Sequence, residues 1–461
     1  MDEYDVIVIG AGPAGENAVG RCADHGLSTV IIERELIGGE CSYWGCIPSK
    51  TLIRPGDALA AVRRVPGAAA AVTGTIDAAA ALARRDYMTS DWNDAGQVPW
   101  LDQHHVALIR GTGRLTGVRE VAVNRQPLRA RLAVVLATGT TAAFPPVTGL
   151  REARPWDNRN ATAAKEIPRR LLVLGAGFVG AELAQGFKRL GTEEVTVVES
   201  AEQLLAREEP FAGEEVRKAF EAEGITVFTG ARMTAVRRPG PDAPVTATLA
   251  DGREIEADEI LVATGRHPAT TDLGLDTVGL TPGEWVSVDD RLCALDDWLY
   301  AVGDCNGKAL LTHMGKYQGR IAADVIAGRD IRDRASATVI PRVTFTDPQV
   351  CAVGYTEAEA RNAGLQVSTV TYGVGDVPGA YTTGEGIGGT SMLVIDDQRR
   401  TIVGATFTGP GLQELLHSAT IAIAGEVPIE RLWHAVPSFP TISEVWLHLL
   451  EQLPEFALDT D

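Results

Sequence analysis

The chain is poor in cysteine, in net positive charge and in long apolar runs, and each shortage excludes a class of protein. Six cysteines in 461 residues are too few for a secreted scaffold held together by disulfides. The formal net charge of −19 disfavours binding to nucleic acids or anionic membranes. No apolar run approaches the ~18 residues of a membrane span, and the first residues lack the basic segment of a signal peptide. These features predict a cytoplasmic protein without nucleic-acid or membrane partners.

Glycine is abundant, with 49 residues, and its first cluster lies in a pattern that predicts a nucleotide-binding fold. Residues 4–9 form an apolar, β-branched run that is typical of a buried parallel strand. The run leads into Gly10-Ala-Gly12-Pro-Ala-Gly15, a helical stretch, and a second apolar strand that ends at Glu33. In this fingerprint the first glycine allows a tight turn, the second lets a pyrophosphate approach, and the third lets helix and strand pack closely. Glu33 is placed to hydrogen-bond a ribose.

The same pattern recurs later in the chain, which indicates a second dinucleotide site. A strand predicted over residues 170–174 leads into Gly175-Ala-Gly177-Phe-Val-Gly180, and the following helix and strand end at Glu199. A carboxylate at that position would repel a 2′-phosphate, so the sequence favours NAD(H) over NADP(H). Two such sites in one chain suggest a flavin paired with a nicotinamide, because a flavin accepts hydride and passes electrons onward.

Two cysteines lie close together directly after the first of these units. The segment reads Gly38-Gly-Glu-Cys41-Ser-Tyr-Trp-Gly-Cys46-Ile-Pro-Ser-Lys50. In a regular helix this spacing advances about 7.5 Å along the axis, whereas a disulfide requires Cα atoms about 4.4–6.8 Å apart. A Cys41–Cys46 bridge therefore requires a distorted backbone, for which Gly45 supplies the freedom. A cysteine at a helix start near a lysine should also have a lowered pKa, which favours a reducible, catalytic pair.

Taken together, these motifs resemble those of the flavoprotein pyridine nucleotide–disulfide oxidoreductases, such as dihydrolipoamide dehydrogenase, glutathione reductase and mercuric reductase. The markers are the two glycine turns, the GGxCxxxGCxPSK segment, ATGRHP from Ala263 and AVGDC from Ala301. The resemblance covers essentially the whole chain. It implies FAD and NAD(P) as cofactors, and a homodimer in which the C-terminal domain lends residues to the partner's active site.

The resemblance also implies roles for individual residues. Cys46 matches the cysteine that forms a charge-transfer pair with flavin, and Cys41 the interchange thiol that attacks substrate. Lys50 resembles the lysine that approaches flavin N5, with Glu182 as its ion-pair partner. Asp304 resembles the aspartate that meets the ribityl chain. The implied FAD contacts are Gly10, Gly12, Gly15, Glu33, Lys50, Gly113, Gly139, Asp304 and Thr312. The implied NAD(P) contacts are Gly175, Gly177, Gly180, Glu199, Met233 and Gly265, and no metal site is predicted.

The C-terminal segment departs from the family pattern at the position of its acid–base residue. The family has a histidine before a proline, and a following glutamate orients it, whereas this chain has Phe439, Pro440 and Glu444. A phenyl ring cannot transfer a proton, and loss of a general acid–base group typically costs ~10²- to 10⁴-fold in rate. His434 is either a displaced acid–base residue or a helix-end histidine. Glu444 either retains a catalytic role or caps the following helix.

The sequence therefore predicts an α/β protein with two Rossmann-like FAD- and NAD(P)-binding domains and a C-terminal α+β dimerisation domain. Residues 1–150 are the first part of the FAD domain, and residues 151–270 are the NAD(P) domain. Residues 271–335 complete the FAD domain, and residues 336–461 form the dimerisation domain. The alanine-rich residues 63–85 and residues 411–424 are predicted to be helical.

The sequence is compatible with three functions. The leading hypothesis is a FAD-dependent NAD(P)H oxidoreductase that reduces the Cys41–Cys46 pair and then a disulfide-type substrate, as dihydrolipoyl dehydrogenase-like enzymes do. The missing histidine leaves room for a reductase that passes electrons from FAD directly to a quinone or another acceptor. The third hypothesis is a redox sensor or docking subunit. Residues 453–461 contain no cysteine pair, which argues against mercuric-ion transfer through C-terminal thiols.

Overall fold

The computed structural model describes residues 1–241 and 243–456, and the chain divides into two compact units. The first comprises Met1–Pro48, Arg84–Ala143 and Arg266–Ala337. The second comprises Ser49–Ala83, Phe144–Gly265 and the chain from Thr338 onward. Among the described residues, no helix combines the length and apolar character that crossing a membrane requires.

The first unit is built on an eight-stranded sheet whose centre is parallel. The parallel strands, from one edge, are Ala107–Arg110, Thr29–Glu33, Asp2–Ile9, Gln126–Leu136 and Leu299–Ala301. Cys293–Leu295 adds an antiparallel edge, the hairpin of Gly113–Gly117 and Glu120–Val123 extends the sheet, and Thr140–Ala142 pairs separately with Arg266–Pro268. Numbered along the chain, the parallel strands are ordered 3-2-1-4-5, which is the Rossmann arrangement. The first predicted dinucleotide fold is thereby confirmed.

Both faces of this sheet are buried, as a parallel sheet requires. Helices Pro13–Asp24 and Thr312–Ile326 pack on one face, where Val6 and Val8 are inaccessible to solvent. A second apolar cluster, which includes Ile7, covers the other face. The two helices are tied together by Arg21, whose guanidinium donates to both carboxylate oxygens of Asp324 at 2.7 Å.

The second unit contains a four-stranded parallel sheet in the same 3-2-1-4 order. Its strands are Ile225–Phe228, Glu194–Val198, Arg170–Leu174 and Glu259–Val262, and its helices are Asn158–Thr162, Phe178–Leu190 and Pro210–Ala222. Met233–Arg237, Val245–Leu249 and Glu254–Ala257 form a small antiparallel sheet. The second predicted βαβ unit is therefore confirmed as well.

The C-terminal part of the second unit has a different, α+β architecture, as the sequence predicts. Its five antiparallel strands, in sheet order, are Arg342–Thr344, Gln349–Gly354, Thr401–Gly409, Thr390–Asp396 and Val367–Gly373. Its helices are Glu357–Asn362, Pro378–Thr383, Leu416–Ala424, Ile429–Leu432 and Val445–Glu451. The helix predicted from residue 411 begins only at Leu416, because Gly411 takes a left-handed φ of 74° and a short 3₁₀ turn follows it.

The prediction of a helix through residues 63–85 is wrong over its central part. The helix Cys46–Arg63 ends where this stretch begins, and the next helix, Ala78–Met88, starts late in it. Pro66 lacks the N–H that a helix needs, and Gly67 adopts a φ of 89°. The Pro–Gly pair therefore overrides the helix propensity of the alanines. The other helices are Gly39–Tyr43, Val98–Gln103 and Ala335–Thr338.

Candidate active site

The first glycine turn has the geometry that its fingerprint predicts. Gly10 has a φ of 103°, and a Cβ there would lie 2.4 Å from the carbonyl oxygen of Ala137. A Cβ on Gly15 would lie 1.9 Å from the carbonyl oxygen of Gly10, so the helix packs directly on the turn. At Gly12, by contrast, no atom of the described residues lies within 4 Å of the Cβ position. The turn is thus open at the point where a pyrophosphate is expected to approach.

The second glycine turn has nearly the same backbone angles and close contacts as the first. Gly175 has a φ of 97°, and a Cβ on Gly180 would lie 2.0 Å from its carbonyl oxygen. Within the described chain, the Cβ position of Gly177 is also free of atoms within 4 Å. The two turns therefore offer equivalent open cradles at the start of a helix, where backbone N–H groups favour phosphate.

The acidic residue of each fingerprint is hydrogen-bonded into its own turn. Glu33 Oε2 accepts from the backbone N–H of Ala11 at 2.7 Å, and Glu199 Oε2 accepts from that of Ala176 at 2.7 Å. Sequence reasoning placed both acids at the ends of the second strands but missed these bonds. They fix each carboxylate beside its turn, which is where a ribose contact would require it.

Asp304 lies in the 3₁₀ turn Gly303–Asn306 of the first unit and is partly buried. Its Oδ2 accepts a hydrogen bond from the hydroxyl of Thr140 at 3.0 Å. Burial is the main reason that the pKa of Asp304 is raised, while the bond from Thr140 and the charge of Arg266 act in the opposite direction. Gly139, just before Thr140, has a φ of 69° and no described atom within 4 Å of its Cβ position.

Three more of the residues that the sequence resemblance implies as cofactor contacts, two glycines and a methionine, differ in their local environment. Gly113 begins a strand, and a Cβ there would lie 3.2 Å from the side chains of Ile9 and Ile32. Gly265 follows the strand Glu259–Val262 with a φ of 132°. The side chain of Met233 is buried in an apolar core cluster of the second unit.

The cysteine pair spans a break between two helices. Cys41 lies within the short helix Gly39–Tyr43, and Cys46 begins the helix Cys46–Arg63. Trp44, at the end of the first helix, has a φ of −137°. A Cβ on Gly45 would lie 3.1 Å from the carbonyl oxygen of Glu40 and 3.3 Å from the Cα of Cys41, so this close approach favours glycine. The interrupted helix agrees with the distorted backbone that the spacing requires.

Cys41 and Cys46 are free thiols that share a hydrogen bond. That bond and then burial raise the pKa of Cys41. Cys46 is the cysteine that starts a long helix, so the lowered pKa expected at a helix start applies to Cys46 and stays a prediction. The hydroxyl of Thr312, proposed from the sequence as a FAD contact, lies 3.4 Å from Cys46 Sγ and also bonds to Cys41.

In the second unit, Lys50 and Glu182 form a close ion pair, with Nζ 2.6 Å from Oε2. The other carboxylate oxygen of Glu182 accepts from the backbone N–H of Phe345 at 3.0 Å. The Phe345 ring lies under the ammonium group, 4.8 Å from Nζ to the ring centroid, a cation–π geometry. Phe345 was missed by sequence reasoning, since no motif marks it. Both charged groups are thereby held in one orientation.

The Glu182→Gln substitution is expected to destabilise the second unit by about 1–3 kcal/mol, because Glu182 is buried and its charge-assisted bonds are lost. Thermal unfolding should show a midpoint a few degrees lower than that of the wild type. The matched control is Glu221→Gln, since Glu221 pairs with Arg217 on an exposed helix face and such pairs contribute under about 0.5 kcal/mol. Equal midpoints for the two variants would show that the ion pair is not structurally important.

The C-terminal segment places Phe439 and Glu444 around one cavity of about 250 Å³ that is otherwise apolar. Phe439 is 73% exposed. Glu444 Oε2 is buried and has no hydrogen-bond partner among the described residues. His434 is exposed and does not line this cavity, so the structure does not bring it to Glu444. An exposed aromatic ring, at the position where the sequence resemblance implies an acid–base residue, therefore lines the same cavity as a carboxylate oxygen that lacks a partner among the described residues.

Burial raises the pKa of Cys305 to about 12, and Tyr43 is buried with its carbonyl oxygen accepting from Trp92. No group of three or more His, Cys, Asp or Glu side chains in the described ranges is arranged to hold a metal.

Comparison with known proteins gives two family matches. Residues 4–321 match the pyridine nucleotide-disulphide oxidoreductase family, and residues 340–450 match the dimerisation domain of the same family. The matches together span most of the chain.

Individual relatives cover nearly the whole chain. A dihydrolipoyl dehydrogenase from Thermus scotoductus is 33% identical over an alignment of 465 positions that covers 99% of this chain and 99% of that protein. A mercuric reductase from Lysinibacillus sphaericus is 30% identical over 447 residues, 96% of this chain and 81% of that protein. Among solved structures, LpdA from Mycobacterium tuberculosis has a TM-score of 0.84 at 25% identity, covering 98% of this chain and 99% of that one. The HOCl-induced flavoprotein disulfide reductase RclA from Escherichia coli, as its Cu(II) complex, has a TM-score of 0.85 at 23% identity, covering 98% and 99%.

Proposed function

The chain belongs to the pyridine nucleotide-disulphide oxidoreductase family, and from that premise we propose that it passes electrons from NADH through FAD and the Cys41–Cys46 pair to a disulfide-type substrate. NADH and one proton yield NAD⁺ and open the Cys41–Cys46 disulfide to two thiols. The two thiols then reduce the substrate disulfide to two thiols and close their own disulfide again. The observation that carries this proposal is the hydrogen-bonded thiol pair at the helix break.

The residues of the first unit fit FAD. The open cradle at Gly12 suits a pyrophosphate, and the partly buried carboxylate of Asp304, which accepts a hydrogen bond from Thr140, suits ribityl hydroxyls. The equivalent cradle at Gly177 suits the nicotinamide dinucleotide. When bound, FAD supplies an acceptor that exchanges hydride with a nicotinamide and electrons with thiols.

We propose different roles for the two sulfur atoms. Because the pKa of Cys41 is raised by its bond to Cys46, Cys41 retains the shared proton when the pair loses one. Cys46 then carries the negative charge, and the hydroxyl of Thr312, 3.4 Å away, donates to it. As the family resemblance implies, Cys41 attacks a substrate disulfide, and it must first give up its proton to a base because the thiolate is the nucleophile. Lys50 acts as a cation that Glu182 and Phe345 hold in one orientation.

We also propose that NADH is preferred over NADPH. Glu199 is held at its turn by the N–H of Ala176, and a second acid, Glu202, lies close by in sequence. The carboxylate of Glu202 is 3.1 Å from the Cβ position of Gly230, where the next strand ends. Two carboxylates in this region would oppose a 2′-phosphate through like-charge repulsion.

The match of residues 340–450 to the dimerisation domain supports a homodimer. We propose the domain roles accordingly: residues 1–150 and 271–335 for FAD, residues 151–270 for the nicotinamide and residues 336–461 for dimerisation.

A second candidate function, reduction of a quinone or similar acceptor by FAD without the thiols, is favoured by one observation. Phe439 stands at the family's acid–base position and is exposed.

Anaerobic reduction tests the proposed function. Adding one equivalent of NADH to the oxidised yellow protein is expected to produce a long-wavelength absorption band and two new thiols per chain that iodoacetamide traps. Burial raises the pKa values of Cys22, Cys305 and Cys351 to about 12, so they stay unreactive near neutral pH. NADPH should require at least about tenfold higher concentration, equivalent to ~1.4 kcal/mol. Bleaching of the flavin with no new thiols would favour the direct reduction of another acceptor.

A further inference from the structure

Glu40 and Arg266, two charged residues of the first unit, form an ion pair beside the proposed flavin site. Arg266 Nη2 lies 3.3 Å from Glu40 Oε1, and the side chains are only 17% and 28% exposed. Glu40 lies in the short helix that also carries Cys41, whereas Arg266 begins the strand Arg266–Pro268. The pair therefore connects the cysteine segment to a distant part of the chain.

From Arg266 a continuous chain of hydrogen bonds leads to Asp304. Arg266 Nε donates to the hydroxyl oxygen of Thr140 at 2.5 Å, and Nη2 donates to the carbonyl oxygen of Thr140 at 3.0 Å. The hydroxyl of Thr140 in turn donates to Asp304 Oδ2 at 3.0 Å. These groups are part-buried, so water and salt screen their charges less than at the surface.

The segment that carries Glu40 is docked on the first glycine turn. The N–H of Gly38 donates to the carbonyl oxygen of Ala11 at 2.8 Å. A Cβ on Gly39 would lie 2.7 Å from the Cα of Gly12, at the open cradle. Glu40 follows directly, so an acidic side chain stands next to a turn that is proposed to receive a pyrophosphate. Arg266 is a cation that pairs with this carboxylate.

We propose that Glu40 and Arg266 are a positioning pair. Their opposite charges act on the Asp304 carboxylate before FAD binds and together set its charge. This inference rests on the proposed function, because FAD binding is the event that it modifies. Among the described residues, the charged side chains that act on Asp304 are Arg266 from its strand and Glu40 from the cysteine helix. Arg266 lowers the pKa of Asp304, and Glu40 raises it, against a larger upward effect of burial.

The direction of the pH dependence follows from these signs. An ionised carboxylate accepts hydroxyl hydrogen bonds more strongly than a protonated one, so FAD affinity should rise as the pH rises through the pKa of Asp304. Removing the negative charge of Glu40 lowers that pKa and moves the midpoint to lower pH. Removing the positive charge of Arg266 raises the pKa and moves the midpoint to higher pH.

The test measures FAD release from the purified holoprotein against pH, by the fluorescence of free FAD on dilution. Relative to the wild type, Glu40→Gln should move the midpoint down and Arg266→Gln should move it up, each by about half a pH unit or more. The double variant should return close to the wild-type midpoint, and Arg266→Lys, which keeps the charge, should shift less than Arg266→Gln. Glu3→Gln, an exposed acid on the first strand, is the charge-matched control and should not shift the midpoint.

The outcomes separate this inference from the proposed function. Midpoints that move in the same direction for both single variants, or that do not move, would overturn the inference. A purely structural contact between Glu40 and Arg266 would be lost in either variant, so both substitutions would then have the same effect. A protein that binds no FAD at any pH would overturn the proposed function as well. If Arg266→Gln does not fold, Glu40→Gln alone still decides the matter, because its midpoint must lie below that of the wild type.

Discussion

Replacing Cys41 with serine is expected to lower the turnover of disulfide substrates by at least about 10³-fold, because a serine hydroxyl cannot form or exchange a disulfide. Reduction of the flavin by NADH should persist, since that step does not require the thiol. Cys46 would remain as a lone thiol, with the hydroxyl of Thr312 3.4 Å from its sulfur. The measurement is steady-state NADH oxidation with lipoamide and with glutathione disulfide, alongside a quinone.

The control for this substitution is Cys305→Ser. Cys305 is fully buried, and burial raises its pKa to about 12, so the exchange should leave turnover within a few-fold of the wild type. The quinone arm decides between the two proposed functions. Quinone reduction that survives in Cys41→Ser, together with no disulfide turnover by the wild type, would contradict the thiol route. Loss of all three activities in Cys41→Ser would instead show that electrons reach lipoamide, glutathione disulfide and the quinone through the thiol pair.

The turns and strands that hold the proposed cofactors could be predicted because their signals are local. Gly10, Gly12 and Gly15 each take the conformation or spacing that the fingerprint assigns to them. A positive φ, an open approach and a close helix contact are properties of neighbouring residues, so a short motif encodes them. The second glycine turn, at Gly175, could be predicted for the same reason.

What could not be predicted depends on contacts between residues that are far apart in sequence. Nothing near Phe345 indicates that its ring lies beneath Lys50, and nothing near Thr140 indicates its bond to Asp304. Arg266 carried a usable signal, since it directly follows the small-residue turn that ends at Gly265. The helix error around Gly67 has another cause, because propensity summed over many alanines obscured a single Pro–Gly pair.

The Phe439→His substitution is expected to raise lipoamide turnover by about 10²-fold, the lower end of the contribution of a general acid–base group. Phe439 and Glu444 line the same cavity, and Glu444 Oε2 has no hydrogen-bond partner among the described residues. An imidazole N–H at position 439 would supply that missing donor, and its other nitrogen would be free to move a proton. Turnover should be measured across pH, since a histidine introduces a titration near 6.5.

Two further variants decide whether a gain comes from proton transfer or from a change in shape. Phe439→Leu removes the ring without adding a base and should leave lipoamide turnover within a few-fold of the wild type. Glu444→Gln, combined with Phe439→His, should remove much of the gain, because a neutral amide stabilises an imidazolium less than a carboxylate does. If Phe439→His gives no gain while its flavin is still reduced by NADH, proton transfer at this position does not limit the reaction. Cys41 would then receive its acid–base assistance from elsewhere, or the natural acceptor would need none, which is the condition that direct electron transfer to a quinone satisfies.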